Sequence, residues 1–244
     1  MILSVLKLLI RSIASRMGFV IYRTSALPRC TDIAADIRRC GIDLTHAVIV
    51  DVGANEGQMA TYFRHSYPES TIICCEPFPK AFEACESRFA SDASAKCLKL
   101  ALSNQPGEGR LFLARDSQLN SLKAQVNAED FGFVPVQVDT LDNLCKKLSL
   151  AKVDILKIDT EGSDLDVLTG GSQIFALDKV GLVLAECAFD RADKRHTYFF
   201  DLCHFLECRG FRFLGLYNAR QSNRRLYFCD ALFISQKYPF ACLC

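Results

Sequence analysis

Two short stretches carry residue types that could hold a nucleoside and do chemistry beside it. The first is VIVDVGANEGQ, residues 48–58, where a β-branched apolar run ends at Asp51 and a loop bearing Gly53, Asn55 and Gly57 follows. Glycines at such a loop let the backbone approach a ligand closely. Glu76 closes the next apolar run, in ICCEPF. An acid there can accept hydrogen bonds from both hydroxyls of a ribose. The second stretch is LKIDTEGSDLDVLTGG, residues 156–171, which crowds Lys157, Asp159 and Glu161 at the end of a further apolar run. A charge inside a buried strand is costly unless paired, so Lys157 is expected to pair with a neighbouring acid.

A glycine loop followed by an acid fits two classes of cofactor. Dinucleotide sites use Gly-x-Gly-x-x-Gly, so that amides at a helix start meet the pyrophosphate. Here the loop reads Gly53-Ala54-Asn55-Glu56-Gly57, which lacks that spacing. It also carries Asp51 and Glu56, which would repel a pyrophosphate. S-adenosyl-L-methionine has no phosphate, and its sulfonium and amino groups suit an acid-bearing pocket. The spacing therefore favours the methyl donor over a nicotinamide cofactor. A tight turn alone would account for Gly53 and Gly57, but not for Glu76 alongside them.

Methyl transfer is an in-line displacement, driven largely by holding acceptor and methyl in near-attack geometry. A hydroxyl acceptor also needs a general base. Asp159 is the first choice, with Glu161 and Glu186 as alternatives. Glu161, Ser163 and Asp164 read equally well as the cap and first-turn acids of the next helix. Asp159 fits that bland reading less well, because it lies within the strand pattern. His196 follows Asp193-Lys194-Arg195 and reads as a solvated surface residue, an outside candidate for the base. Asp159 and Glu186 end neighbouring strands and offer hard oxygen ligands, but no third ligand is fixed, so no metal is expected.

The elements that must position these residues alternate between strand and helix patterns from Ala47 onward. Strands are predicted at AVIVDVG, TIICCEP, CLKLALSN, VDILKIDTEG and VGLVLAEC, with helices over Gly57–Tyr67, Lys80–Phe89, Leu141–Leu148, Asp164–Phe175 and Tyr198–Cys208. GRLFLA and VPVQVDT read as an inserted strand pair, and FRFLGLY with RRLYFCDALFIS as a closing antiparallel hairpin. Alternation of this kind implies a mainly parallel sheet covered on both faces, an α/β fold with a single Rossmann-like domain. The domain is placed at 45–244, preceded over 1–44 by a helix, a linker and a short second helix.

Composition narrows the partners. The chain has 29 basic and 28 acidic residues, so it offers no electrostatic case for a nucleic-acid partner. Its 13 cysteines show no C-x-x-C spacing, and several lie in apolar runs where they act as small hydrophobes. Reduced thiols in a cytoplasmic protein are expected. The terminal Cys-Leu-Cys is read as a frayed end rather than a lipidation signal. In the first segment Ile2, Leu6, Leu9, Ile10, Ile13 and Met17 share one helical face, with Ser4, Lys7, Arg11 and Ser15 opposite. Lys7, Arg11 and Arg16 argue against a transmembrane span. Residues 1–22 then either lie on a membrane surface as a basic amphipathic helix or pack on the domain. The oligomeric state is not legible.

The stretches VDVGANEGQ, EPFPKAFE, ALSN, VDTLDNL, LKIDTEGSDLDVLTGG and VLAEC together resemble the FkbM-type methyltransferases, in order from about Val48 to Cys187. The resemblance implies a class I methyltransferase fold and S-adenosyl-L-methionine as donor. It also implies O-methylation of a hydroxyl on a sugar, glycan or related small molecule. Carried onto this sequence, Asp51, Gly53, Asn55, Gly57, Glu76 and the adjoining Pro77 match donor-binding positions. Leu102 and Ser103 match the strand end next to the adenine, and Asp159, Glu161 and Glu186 match acids facing the reaction site. A non-catalytic adenosylmethionine-binding module is the alternative, and a nicotinamide-dependent oxidoreductase a more distant one.

Overall fold

The computed structural model describes residues 2–23, 26–123, 131–222 and 224–242. The chain opens with helices α1 (Ile2–Arg16) and α2 (Ile33–Arg39) and the short strand β1 (Ile42–Asp43). The alternating region follows: β2 (Val48–Val52), α3 (Gln58–Ser66), β3 (Thr71–Cys75), α4 (Pro79–Arg88) and β4 (Ala95–Leu98). An insertion comprises β5 (Ala101–Leu102), β6 (Gly107–Phe112) and β7 (Phe133–Asp139). Then come α5 (Leu141–Lys147), β8 (Val153–Ile158), α6 (Asp164–Thr169), α7 (Ser172–Ala176) and β9 (Val180–Ala188). The chain closes with β10 (Thr197–Tyr198), α8 (Phe199–Glu207), β11 (Phe211–Ser222), β12 (Arg225–Ser235) and β13 (Ala241–Cys242).

The main sheet runs β11-β12-β9-β8-β2-β3-β4, with β10 added to the end of β9. Strands β2, β3, β4, β8 and β9 are parallel, and β12 joins β9 antiparallel. From β2 the chain winds outward through β3 and β4, then returns to place β8 on the other side of β2. The β2/β8 junction is therefore the switch point of the sheet, where a crevice opens beyond the carboxyl ends of the strands. That topology brings the loop after Val52 and the loop after Ile158 side by side.

Burial on both faces explains the unbroken apolar runs. On one face Val50, Val52, Leu156 and Ile158 pack with Leu141, Val167, Leu168, Leu202 and Leu206 from α5, α6 and α8. On the other, Ile49, Ile72, Ile155 and Leu182 pack with Phe63 of α3, Cys85 of α4 and Ile33 and Ile37 of α2. Each fully buried aliphatic side chain contributes about 1.5–3 kcal/mol.

The structure revises several expectations. CLKLALSN is two strands rather than one: β4 belongs to the main sheet, and β5 pairs with β7 in a separate three-stranded sheet. The expected helix over 164–175 ends at Thr169 and restarts at Ser172 after Gly170-Gly171. Residues 33–44 were placed outside the domain, yet Ile33, Ile37, Ile42 and Leu44 are buried in its core. The tail expected to fray pairs through β13 with β1, Cys242 opposite Ile42; residues 243 and 244 lie outside the described residues. In α1 the side chains of Ile2 and Ser4 also lie outside them. Among the described residues the cysteines are free thiols, and no helix is long and apolar enough to cross a membrane.

Candidate active site

A cavity of 420 Å³ lies over the switch point, within the size range of small-molecule sites. Gly53, Asn55, Glu76, Pro77 and Leu102 line it together with Asp159, Glu161 and Glu186, and Asp159 stands directly beside Gly53. Asp51, Gly57 and Ser103 do not line it. Asp51 is fully buried beneath the loop, Gly57 caps α3, and the Ser103 amide donates to the carbonyl of Asp139.

Glu76 follows β3 and is tied to the glycine loop. Its Oε2 accepts from the amide of Asn55 at 2.8 Å, and its Oε1 accepts from the amide of Phe78 at 2.8 Å. Each oxygen keeps a lone pair for two adjacent hydroxyls. Burial pushes the Glu76 carboxyl above its usual range, while the two amides favour the charged form. These features fit the ribose of an adenosine nucleoside: a doubly anchored carboxylate, apolar Leu102 of β5 in the same cavity wall, and acids rather than phosphate-binding amides beside the loop.

Gly53 sits at φ +74°, and a Cβ there would overlap the backbone carbonyl of Asp159. The glycine is thus required by the approach of the two loops to one another, a reason the sequence did not reveal. Asp159 lies one residue beyond β8, not within it, and its amide donates to the carbonyl of Val52 at 3.0 Å.

Lys157, in β8, meets the pairing expected of it. Its Nζ lies 3.1 Å from Asp159 Oδ2 and 3.5 Å from Asp51 Oδ1. Burial works against its charge, but the flanking carboxylates outweigh burial and hold the ammonium above its usual pKa. Lys157 is a strut that fixes Asp159 at the cavity wall. Asp164, open to two readings from sequence, is structural: it accepts from the Thr160 amide and from the hydroxyls of Thr160 and Thr197.

The surroundings of Glu161 and Glu186 were only half legible. His196, read as a surface residue, is buried. Its Nδ1 lies 2.8 Å from Asp193 Oδ2 and its Nε2 3.4 Å from Glu186 Oε2. Its ring stacks on Phe228 with centroids 4.7 Å apart. The 190–196 loop reaches the site because Gly162 carries no side chain; a Cβ there would come within 2.8 Å of the Arg195 carbonyl. A sequence signal existed in Asp-x-x-His at 193–196, but without the fold nothing distinguished it from a polar loop.

Burial, then the charge of Asp159, pushes Glu161 up to about 8, against the pull of Arg195. Burial, with Asp159, Glu161 and Asp230 nearby, pushes Glu186 up to about 10. Asp193 goes the other way: burial raises it, but the hydrogen bonds from the His196 ring and from the Arg195 and His196 amides together outweigh burial and hold it below the usual range.

The switch-point cavity, with a doubly anchored acid at Glu76 and further acids at Asp159, Glu161 and Glu186, belongs to a Rossmann-like domain. Residues 51–213 match the family described as Methyltransferase FkbM domain. The chain belongs to the FkbM methyltransferase family, whose methyl donor is S-adenosylmethionine. It is 27% identical over 142 residues to 2-O-methyltransferase NoeI of Sinorhizobium fredii, covering 52% of this chain and 58% of that protein. It is 31% identical over 144 residues to Methyltransferase 1 of Beauveria bassiana, covering 50% of this chain and 57% of that one. The chain thus spans somewhat over half the length of these relatives. The fold resembles the crystal structure of methyltransferase FkbM from Methylobacillus flagellatus KT, with a TM-score of 0.52 and 14% identity over 78% of this chain and 44% of that one.

Proposed function

We propose that this protein transfers the methyl group of S-adenosylmethionine to a hydroxyl of a sugar, glycan or related small molecule. The observation that carries the reading is the single cavity joining Glu76 to the acids at Asp159, Glu161 and Glu186. Glu76 binds the ribose hydroxyls and the glycine loop seats the methionine part. When bound, the donor supplies an electrophilic methyl on a sulfonium. Asp159, held by Lys157, takes the proton of the acceptor hydroxyl as its oxygen attacks; the new O–CH3 bond forms and the C–S pair returns to sulfur. Glu161 and Glu186 are weaker candidates for the base, since burial and the neighbouring acids push both carboxyls up and favour their neutral forms. They serve instead to bind the acceptor. The 2-O-methyltransferase name of the Sinorhizobium relative supports oxygen as the atom methylated.

Peripheral contact with a membrane through residues 1–22 is part of this proposal. Leu6, Leu9, Ile10 and Ile13 of α1 are 47–56% exposed, and among the described side chains of that helix only Ala14 is buried. Lys7 and Arg11 are exposed on its polar face. Such a helix suits an anionic lipid surface, as a lipid-carried acceptor would require.

The test is calorimetry with S-adenosylmethionine and S-adenosylhomocysteine, then incubation with labelled donor and fractionated glycans and lipids. Label in a glycan or lipid-linked sugar fraction is the expected result. Donor binding with no labelled fraction would favour a binding module, and binding of nicotinamide cofactors alone would overturn the reading.

A further inference from the structure

Three side chains from separate elements converge on the cavity wall. Glu161 follows β8, Glu186 lies in β9, and His196 precedes β10. One carboxylate oxygen of each glutamate and one ring nitrogen of His196 lie within 4.8 Å of one another. The sequence offered two carboxylates without a third ligand; the fold supplies a histidine and exchanges Asp159 for Glu161.

Two observations give this cluster the character of a ligand set. His196 is held rigidly, its side chain 3% exposed and stacked on Phe228. Its Nδ1 faces Asp193 at 2.8 Å, so the Nε2 lone pair, 3.4 Å from Glu186 Oε2, is left for a cation held between the two. A carboxylate that takes the far N–H of an imidazole is the usual support of a metal-ligating histidine, fixing tautomer and ring orientation. Independently, the Glu161 side chain is 9% exposed, and its Oε2 is buried in the cavity wall without a hydrogen-bond partner. The nearest cation, Arg195 Nε, stands 3.7 Å away, outside hydrogen-bonding range. A buried polar atom of that kind calls for a partner.

We propose that Glu161, Glu186 and His196 bind one divalent cation whose open coordination positions face the cavity. Two carboxylates and one imidazole lie between the all-oxygen sets of magnesium and the nitrogen and sulfur sets of zinc, which points to manganese. Three protein ligands leave room for substrate oxygens. Resting on the methyltransferase reading, the site would select acceptors with two neighbouring oxygens, such as a vicinal diol, and orient one of them towards Asp159 and the donor.

The experiment is titration of the chelator-treated full chain with Mn2+, followed by electron paramagnetic resonance of the free ion. One Mn2+ per chain is expected. Glu161→Gln and His196→Asn should each weaken it at least tenfold, and Asp193→Asn roughly ten- to a hundredfold, the usual range for a supporting carboxylate. Melting curves and S-adenosylhomocysteine calorimetry check that each variant is folded. Should a variant unfold, nitrogen hyperfine coupling to bound Mn2+ in the wild type reports the histidine without mutation. No stoichiometric uptake, uptake indifferent to folded variants, or bound ion without nitrogen coupling overturns the site. Mn2+ binding without S-adenosylhomocysteine binding leaves the site standing and removes the methyltransferase reading; the reverse removes the cation site alone.

Discussion

The amide of Asn55 donates to Glu76 Oε2 at 2.8 Å, so the glycine loop and the acid that follows β3 are one hydrogen-bonded unit. Each half orients the other before any donor arrives. Glu76→Ala should weaken S-adenosylhomocysteine binding by roughly 1.5–3 kcal/mol, the range for hydrogen bonds to a charged group. Calorimetry on the folded variant measures it; unchanged affinity would remove Glu76 from the ribose site.

Gly53 and Asp159 approach so closely that no side chain fits between them. Gly53→Ala would also place a non-glycine residue at φ +74°. The conformational term alone costs about 1–2 kcal/mol, and the overlap adds to it. Urea unfolding should show at least that loss, with donor affinity falling in parallel. A variant as stable as the wild type would mean that the two loops do not meet as described.

Asp159→Asn should lower turnover roughly a hundred- to ten-thousand-fold, the contribution of a positioned base, and leave donor affinity nearly unchanged. An interaction made in the transition state appears in turnover rather than in ground-state binding. Equal losses in both would make Asp159 a binding or structural residue instead.

Asp36 joins α2 to the far hairpin. It accepts from the Cys30 amide at 2.6 Å, from the Tyr217 hydroxyl at 2.9 Å and from Arg39 at 2.9 Å. Burial raises its pKa, but these donors outweigh burial and leave it below the usual value. A depressed folded pKa stabilises above the unfolded value of about 3.9 and is lost as pH falls through the folded one. The stability gap between wild type and Asp36→Asn should therefore be full at pH 7 and shrink below about pH 4. A gap constant across that window would show that Asp36 does not act through its charge.

Removing residues 1–22 should abolish sedimentation with anionic liposomes while leaving melting temperature and donor binding nearly intact. The exposed stripe of α1 motivates this. If the full chain stays in the supernatant at low salt, where attraction to the lipid surface is strongest, the anchor is excluded. A lowered melting temperature without lipid would instead place α1 against the domain.

The sequence by itself determined the parts of this protein governed by local rules. Apolar runs such as TIICC and VDILKI read as buried strands, and Glu76 and Asp159 stand at their ends because charge is tolerated where a strand leaves the core. Gly53, Asn55, Glu76 and Pro77 were legible as neighbours because they come from two adjacent strand–loop units. Only the tertiary structure decided the rest. It showed that Gly53 makes room for Asp159, not only for a ligand. It drew His196 and Asp193 inward, because Gly162 lets the 190–196 loop close over the site. It separated β4 from β5 by giving them different partners. Contacts between residues far apart in the chain depend on which strands become neighbours, and no local periodicity encodes that choice.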